Sequence, residues 1–242
     1  MTYKILNLFM FVVMVFMNYL ANALPINGKT TGQLSGQYPN LFVPAGITFS
    51  IWGVIYLILL VFIILQFRES NREVVQHIGW IFALSCAFNG LWIVAWHYES
   101  LPASLLLMLG LLAALIIINY RLQPLSIGIT KAAFGIYLGW ICIATIANVT
   151  ALLVYIGWGG WGLNPLTWTI ILITIGVIIT SLTLVRLNNP YIGLAVAWAF
   201  LGIVLKRQAD YQSIVVAAII GIAVVGLFTV VMFVKGKLPF AP

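Results

Sequence analysis

From Lys131 to Trp158 the chain reads KAAFGIYLGWICIATIANVTALLVYIGW, with no charged residue after the leading lysine. At about 1.5 Å per residue, such a run coiled as a helix crosses the roughly 30 Å hydrocarbon core of a bilayer. Tyr137, Trp140, Thr145 and Asn148 interrupt its apolar character. Of these, Tyr137, Trp140 and Asn148, together with Ala144, stand at i, i+3, i+11 and i+7, which puts them on one helix face. Two aromatic rings, a small residue and an amide are unlike a face built only to meet lipid tails. An amide at membrane depth is costly unless it is hydrogen-bonded, so Asn148 should face protein, water or a ligand. The stretch therefore reads as one wall of an internal pocket.

Composition places the whole chain in the bilayer. Of its 242 residues, 64% are hydrophobic and 6% charged, and the mean hydropathy is +1.16. A soluble domain carries about 25% charged residues, and a water-exposed surface cannot be covered with so few. The net charge of +7 comes from eleven basic residues scattered through short loops. With no basic run, it signals membrane topology rather than a nucleic-acid partner. Cys86 and Cys142 both fall in apolar runs, which suits small apolar fillers and gives neither a disulfide framework nor metal-ligand spacing.

Eight apolar runs follow one another, and the fold expected is an all-α integral membrane bundle. The first, Leu6 to Leu24, has Lys4 in front and Ala21-Asn22-Ala23 near its end. Its length favours a retained span over a cleaved signal segment covering residues 1–23. A polar loop from Pro25 to Pro44 comes next, rich in turn signals and a candidate cover for a site. Ala45 to Phe67 carries Ser50, Trp52 and Tyr56 in its first half only, which points the site toward the outer end. Arg68 to His77 is a charged connector. Ile78 to Trp96 places Asn89, Trp92 and Trp96 on one face, and Ala103 to Asn119 reads as aliphatic scaffold apart from Ser104. After the fifth run and a Gly- and Trp-rich turn come Leu166 to Val185, Tyr191 to Leu205 and Ser213 to Val234. Trp96, Trp158 and Trp161 read as membrane-interface anchors, and Trp198 is expected to stand apart from the site.

Every Lys, Arg, Asp and Glu falls outside the spans, with Lys131 heading the fifth. Lys4, Arg68, Arg72, Arg121, Lys131, Arg186, Lys235 and Lys237 lie on the side of both termini, against Lys29, Lys206 and Arg207 on the other. That asymmetry places both termini in the cytoplasm, in a membrane of the bacterial plasma-membrane type.

Three motifs in register then carry a resemblance. Ala87-Phe88-Asn89-Gly90-Leu91-Trp92 is similar to the A-F-N-x-L-W of the translocator protein family, also called tryptophan-rich sensory proteins or peripheral benzodiazepine receptors. Tyr137-Leu138, Trp140, Ala144-Thr145 and Asn148 match that family's P-Y-L-x-W-x-x-x-A-T-x-x-N, with Ile136 at the proline position. Trp52 and Tyr56 match W-x-x-L-Y, and Pro44 matches one proline of the preceding P-P-x-W-x-F-P-x-x-W. Val43, Gly46, Phe49 and Val94 depart from the family pattern near the pocket mouth and at helix kinks. No basic residue closely follows Tyr155, so the family's sterol motif is absent.

The resemblance covers residues 1–158 and implies a five-helix bundle, leaving residues 159–242 as an extension of three helices. It also implies a membrane-embedded binding, sensory or translocator-type protein whose ligand is a porphyrin or another flat hydrophobic molecule. The residues agree with that chemistry, since flat conjugated ligands stack on Trp and Tyr and buried amides fix their orientation. The expected ligand-binding residues are Trp52 and Tyr56 on one wall, Asn89 and Trp92 on a second, and Tyr137, Trp140, Ala144 and Asn148 on a third. No cofactor is required, and no nucleophile–base pair or phosphate loop suggests an enzyme. The alternatives are a small-solute transporter or permease-like subunit, and a structural or assembly protein. The expected partners are the bilayer, an aromatic small molecule and a second copy of the chain docked through Gly135 and Gly139, a small-xxx-small pair.

Overall fold

The computed structural model describes residues 2–24 and 26–235. Pro25, the expected start of the outer loop, and Lys237, one of the basic residues on the terminal side, lie outside the described residues. Among those described, the chain is helical without strands: α1 Thr2–Ala23, α2 Thr31–Gly36, α3 Ile51–Leu65, α4 Arg72–Ile78, α5 Ile81–His97, α6 Leu101–Arg121, α7 Ile129–Tyr155, α8 Pro165–Arg186, α9 Tyr191–Arg207 and α10 Gln212–Lys235. All but α2 and α4 coincide with the eight apolar runs. Six helices are long and apolar enough to cross a membrane, α3 being counted with the 3-10 turn Gly46–Ser50 before it. Helices α5 and α9 have 17 residues each, at the lower limit for a span. The protein is an integral membrane protein.

Two segments expected as irregular contain helix. The polar loop holds α2, started by a reciprocal cap in which Thr30 Oγ1 accepts from Gln33 N and Gln33 Oε1 accepts from Thr30 N. The Thr-x-x-Gln pattern is a helix-start signature. The charged connector holds α4. It meets α5 at a bend of 60°, across Gly79, whose φ of 58° suits glycine. Helices α6 and α8 begin in the expected way, with Pro102 and Pro165 in their first turns.

The helices form a chain of neighbours. Helix α1 packs on α5, α5 on α6 and α6 on α7; α7 is flanked by α3 on one side and α9 on the other, and α9 packs on α10 and α8. Helix α9 has a fully buried face: Ile192, Val196, Ala199, Phe200 and Ile203 are all 0% exposed. The two approach closely at Gly139, where a Cβ would run into the Ile192 carbonyl and Ala195 Cβ, and Gly135 abuts the Asn189 side chain. The Gly135–Gly139 face, expected as a meeting place for two copies, is thus occupied by α9 of the same chain.

Amides tie together the end of the bundle where α6 closes and α7 and α9 begin. Asn189 Nδ2 donates to Asn119 Oδ1 at 2.7 Å and to Lys131 O at 2.9 Å, and Asn119 Nδ2 donates to Phe134 O at 3.0 Å. Lys131 does not stand free in a loop. It lies within α7, is 2% exposed, and donates Nζ to Gln123 O at 3.1 Å and Asn188 O at 3.0 Å. Buried, the ammonium fastens the α8–α9 turn to the α6–α7 loop. Nearby, Phe62, Phe82 and Phe134 meet edge to face at 5.1 to 5.6 Å and seal the bundle between α3, α5 and α7.

Candidate ligand-binding site

At the opposite end, the polar loop folds over the helices as a roof. Lys29 Nζ donates to Glu99 Oε1 at 2.9 Å and Tyr38 OH to Glu99 Oε2 at 3.1 Å. The hydrogen bond from Lys29 holds the Glu99 carboxyl below its ordinary value, and the Tyr38 bond adds to this. Burial pushes the Tyr38 phenol up to about 12, with Glu99 contributing. Beneath them His97, 0% exposed, has Nδ1 at 2.8 Å from Ile93 O. That contact assigns the proton to Nδ1, so in the neutral ring Nε2 accepts from Thr31 Oγ1 at 3.5 Å.

Under the roof lies a small cavity of about 50 Å³, walled by Trp52, Trp92, Trp96, Trp140, Ala144 and Asn148. Asn40, Val43 and Pro44 cover it. The rings form an ordered set. Tyr56 and Trp52 stack at 5.6 Å and 21°, Trp52 and Trp92 at 6.4 Å and 29°, and Trp92 and Trp96 at 6.0 Å and 21°. Trp140 stands edge-on to Trp52 at 6.1 Å and 83°. A second cavity of about 340 Å³, bordered by Asn18 and Asn22 of α1, shares Thr31, Phe49 and Trp52 with the first. Trp52 therefore stands as a partition between the two.

Of the residues expected at the site, Trp52, Trp92, Trp140, Ala144 and Asn148 line the smaller cavity, and Tyr56 lines the larger one. Asn89 and Tyr137 line neither. Asn89 Nδ2 donates to Tyr137 OH at 2.8 Å, and Asn89 Oδ1 accepts from Asn18 Nδ2 at 2.7 Å. These three side chains join α1, α5 and α7. Asn148 is different: its Nδ2 donates to Ser104 Oγ at 2.8 Å, while its Oδ1 has no partner. Trp92 Nε1, Trp140 Nε1 and Tyr56 OH are likewise buried and unpartnered. A buried polar atom without a hydrogen bond costs roughly 1–3 kcal/mol, and three of them on the smaller cavity, with the fourth on the larger one beside Trp52, are the feature to be explained.

Trp96 is not an interface anchor. It is 6% exposed, stacks on Trp92 and donates Nε1 to Thr31 O at 3.4 Å. Trp161, 82% exposed, fits the anchor role and sits with Trp158 and Trp168 in an aromatic cluster. Trp198 does not stand apart either, since its Nε1 donates to Thr48 O at 2.9 Å, in the segment leading from the roof to Trp52. The sequence reading also missed Asn18, a lone amide in the first run, and Asn40, whose Oδ1 accepts from Phe42 N and Val43 N and so shapes the roof.

Walls of indole, aliphatic carbon and amide can hold a flat apolar body by stacking and its polar edge by hydrogen bonds. No curated relative and no solved structure matches the chain. A family model does, and the matched stretch extends beyond residue 158 through α8, α9 and most of α10. Because the model described as TSPO-like protein matches residues 4–231, nearly the whole length, the chain belongs to the TSPO-like family.

Proposed function

We propose that the protein binds a flat conjugated molecule of the porphyrin or tetrapyrrole class under the outer roof, as the cargo or signal of a binding, sensory or translocator-type membrane protein. The observation that carries this reading is the set of unpartnered polar atoms on the aromatic walls. The Trp92 and Trp140 indoles are donors suited to carboxylate or carbonyl oxygens on a ligand edge, and Asn148 Oδ1 is an acceptor suited to a ligand N–H. The smaller cavity has a volume of about 50 Å³, far below the roughly 300–1,000 Å³ of ligand pockets. A tetrapyrrole would therefore enter with a swing of Trp52, which joins the two cavities into one slot.

The phenylalanine seal between α3, α5 and α7 favours binding over a solute path through these helices. An enzymatic role gains no support from walls of aromatic, aliphatic, amide and hydroxyl groups. In this reading the walls belong to residues 1–158, residues 159–235 of the extension brace them, and the site is complete within one chain. Both termini face the cytoplasm of a bacterial-type plasma membrane, from the basic asymmetry of the loops.

Visible-absorbance titration in lipid nanodiscs with protoporphyrin IX, and separately with haemin, tests the proposal. A saturable spectral shift with one molecule per chain is expected. The absence of any saturable shift with either compound would overturn it.

A further inference from the structure

Four hydrogen bonds run between α9 and the roof. Arg207, at the end of α9, donates Nη2 to Asn40 O at 2.9 Å and Nε to Leu41 O at 3.1 Å. Ala45 N donates to Gly202 O at 3.0 Å, and Trp198 Nε1 donates to Thr48 O at 2.9 Å. The residues so held, 40–48, include Asn40, Val43 and Pro44 over the cavity and lead directly into Phe49 and Trp52. Pro44 and Thr48 press on α9 at Gly202, in the space that a Cβ would fill. Among the described residues, Arg207 makes no salt bridge. Its guanidinium is spent on two successive carbonyls, a geometry that its planar fork provides and an ammonium does not.

We infer that α9 is a clamp that sets when the roof opens, with Arg207 as its positioning residue. Helix α9 cannot yield instead of the roof, because it is buried and locked to α7 at Gly139. The roof segment lacks regular α-helix, and its own ties are the short bonds around Asn40 and the Thr48 N to Ala45 O bond of the 3-10 turn Gly46–Ser50. It therefore lifts by breaking the α9 bonds, and ligand passage beneath it follows the rate of that opening. The consequence for ligand rests on the tetrapyrrole reading; the clamp does not.

Hydrogen exchange of the full chain in nanodiscs, without ligand, tests the clamp. Arg207→Met keeps the stem but removes both donors, and should speed exchange of the amides in residues 42–48 by about tenfold or more, the scale of at least one hydrogen bond to a charged group. Protection in α5 and α6 should stay at the wild-type level, and Arg207→Lys should recover part of the loss. Protoporphyrin IX should then associate and dissociate faster from Arg207→Met, with its affinity nearly unchanged. Unchanged exchange at 42–48, or an increase spread equally over α7 and α9, would overturn the clamp. Faster exchange at 42–48 in a protein that binds no protoporphyrin IX would leave the clamp standing and remove the ligand reading instead.

Discussion

Replacing Asn89 with leucine separates a helix fastener from a ligand contact. Asn89 is 0% exposed, as is Tyr137, and Asn18 is 7% exposed. The substitution keeps bulk but deletes the bonds of 2.7 Å from Asn18 and 2.8 Å to Tyr137. Asn18 Nδ2 keeps Met14 O at 2.9 Å, and Tyr137 OH keeps only the Met14 sulfur at 3.9 Å. Interhelical hydrogen bonds in membranes contribute about 0.6–1.7 kcal/mol each. Two of them give an expected loss of about 1–3 kcal/mol, read by reversible denaturation in mixed micelles. Affinity of the folded protein for protoporphyrin IX should stay within about threefold, or roughly 0.7 kcal/mol, because Asn89 lines neither cavity. Asn148→Leu should do the reverse, weakening affinity more than stability, since Asn148 Oδ1 has no protein partner. Unchanged stability in Asn89→Leu together with a tenfold loss of affinity would refute this reasoning and return Asn89 to the ligand.

Three further outcomes are expected. Trp140→Ala removes the edge-on ring of the cavity and should weaken protoporphyrin IX binding by about 1–3 kcal/mol; unchanged affinity in the absorbance titration would show that the ring only fills space. Glu99 has its folded value below its unfolded value of about 4.3, so the stability it gives the roof is complete above that pH and is lost as pH falls through the folded value. With side chains 36% and 38% exposed, the Lys29–Glu99 pair contributes at most about 1 kcal/mol. Relative to the intrinsic rate at each pH, exchange at residues 26–40 should lose protection in acid in wild type and lose that extra pH dependence in Glu99→Gln; parallel profiles would exclude the pair as the cause. Gly139→Val forces α7 from the Ile192 carbonyl and should cost about 1–3 kcal/mol or more by overpacking, whereas an unchanged melting temperature would show that α9 can give way.

The helices were legible because hydropathy alone locates segments that must satisfy their backbone inside lipid. The face of α7 was legible at Trp140, Ala144 and Asn148, where helical spacing and cavity lining agree. Tyr137 shares that spacing, yet its hydroxyl is taken by Asn89. The partner that decides its role, Asn18, sits in another run, and no local pattern joins the two. Trp96 shows a second limit: spacing placed it on the Asn89–Trp92 face, but a tryptophan near a helix end reads equally as an anchor in the headgroups. Arg207 and Lys131 were read only as charges that set topology. Both instead bond backbone carbonyls that only the folded chain supplies. Helix α2 was read as loop: the Thr30 and Gln33 helix-start signature was outweighed by the glycines around it, which signal turns.

Filling the cavity without removing any interaction is the most direct measurement. Ala144 is half-buried on the wall between Trp140 and Asn148, and leucine suits a membrane helix. Protoporphyrin IX is titrated into wild type and Ala144→Leu, with melting curves of both recorded under the same conditions. A loss of affinity of about tenfold or more, or roughly 1.4 kcal/mol, with an unchanged melting temperature, is the expected result. Equal affinity in the two proteins would place the ligand outside the space between Trp52, Trp92 and Trp140.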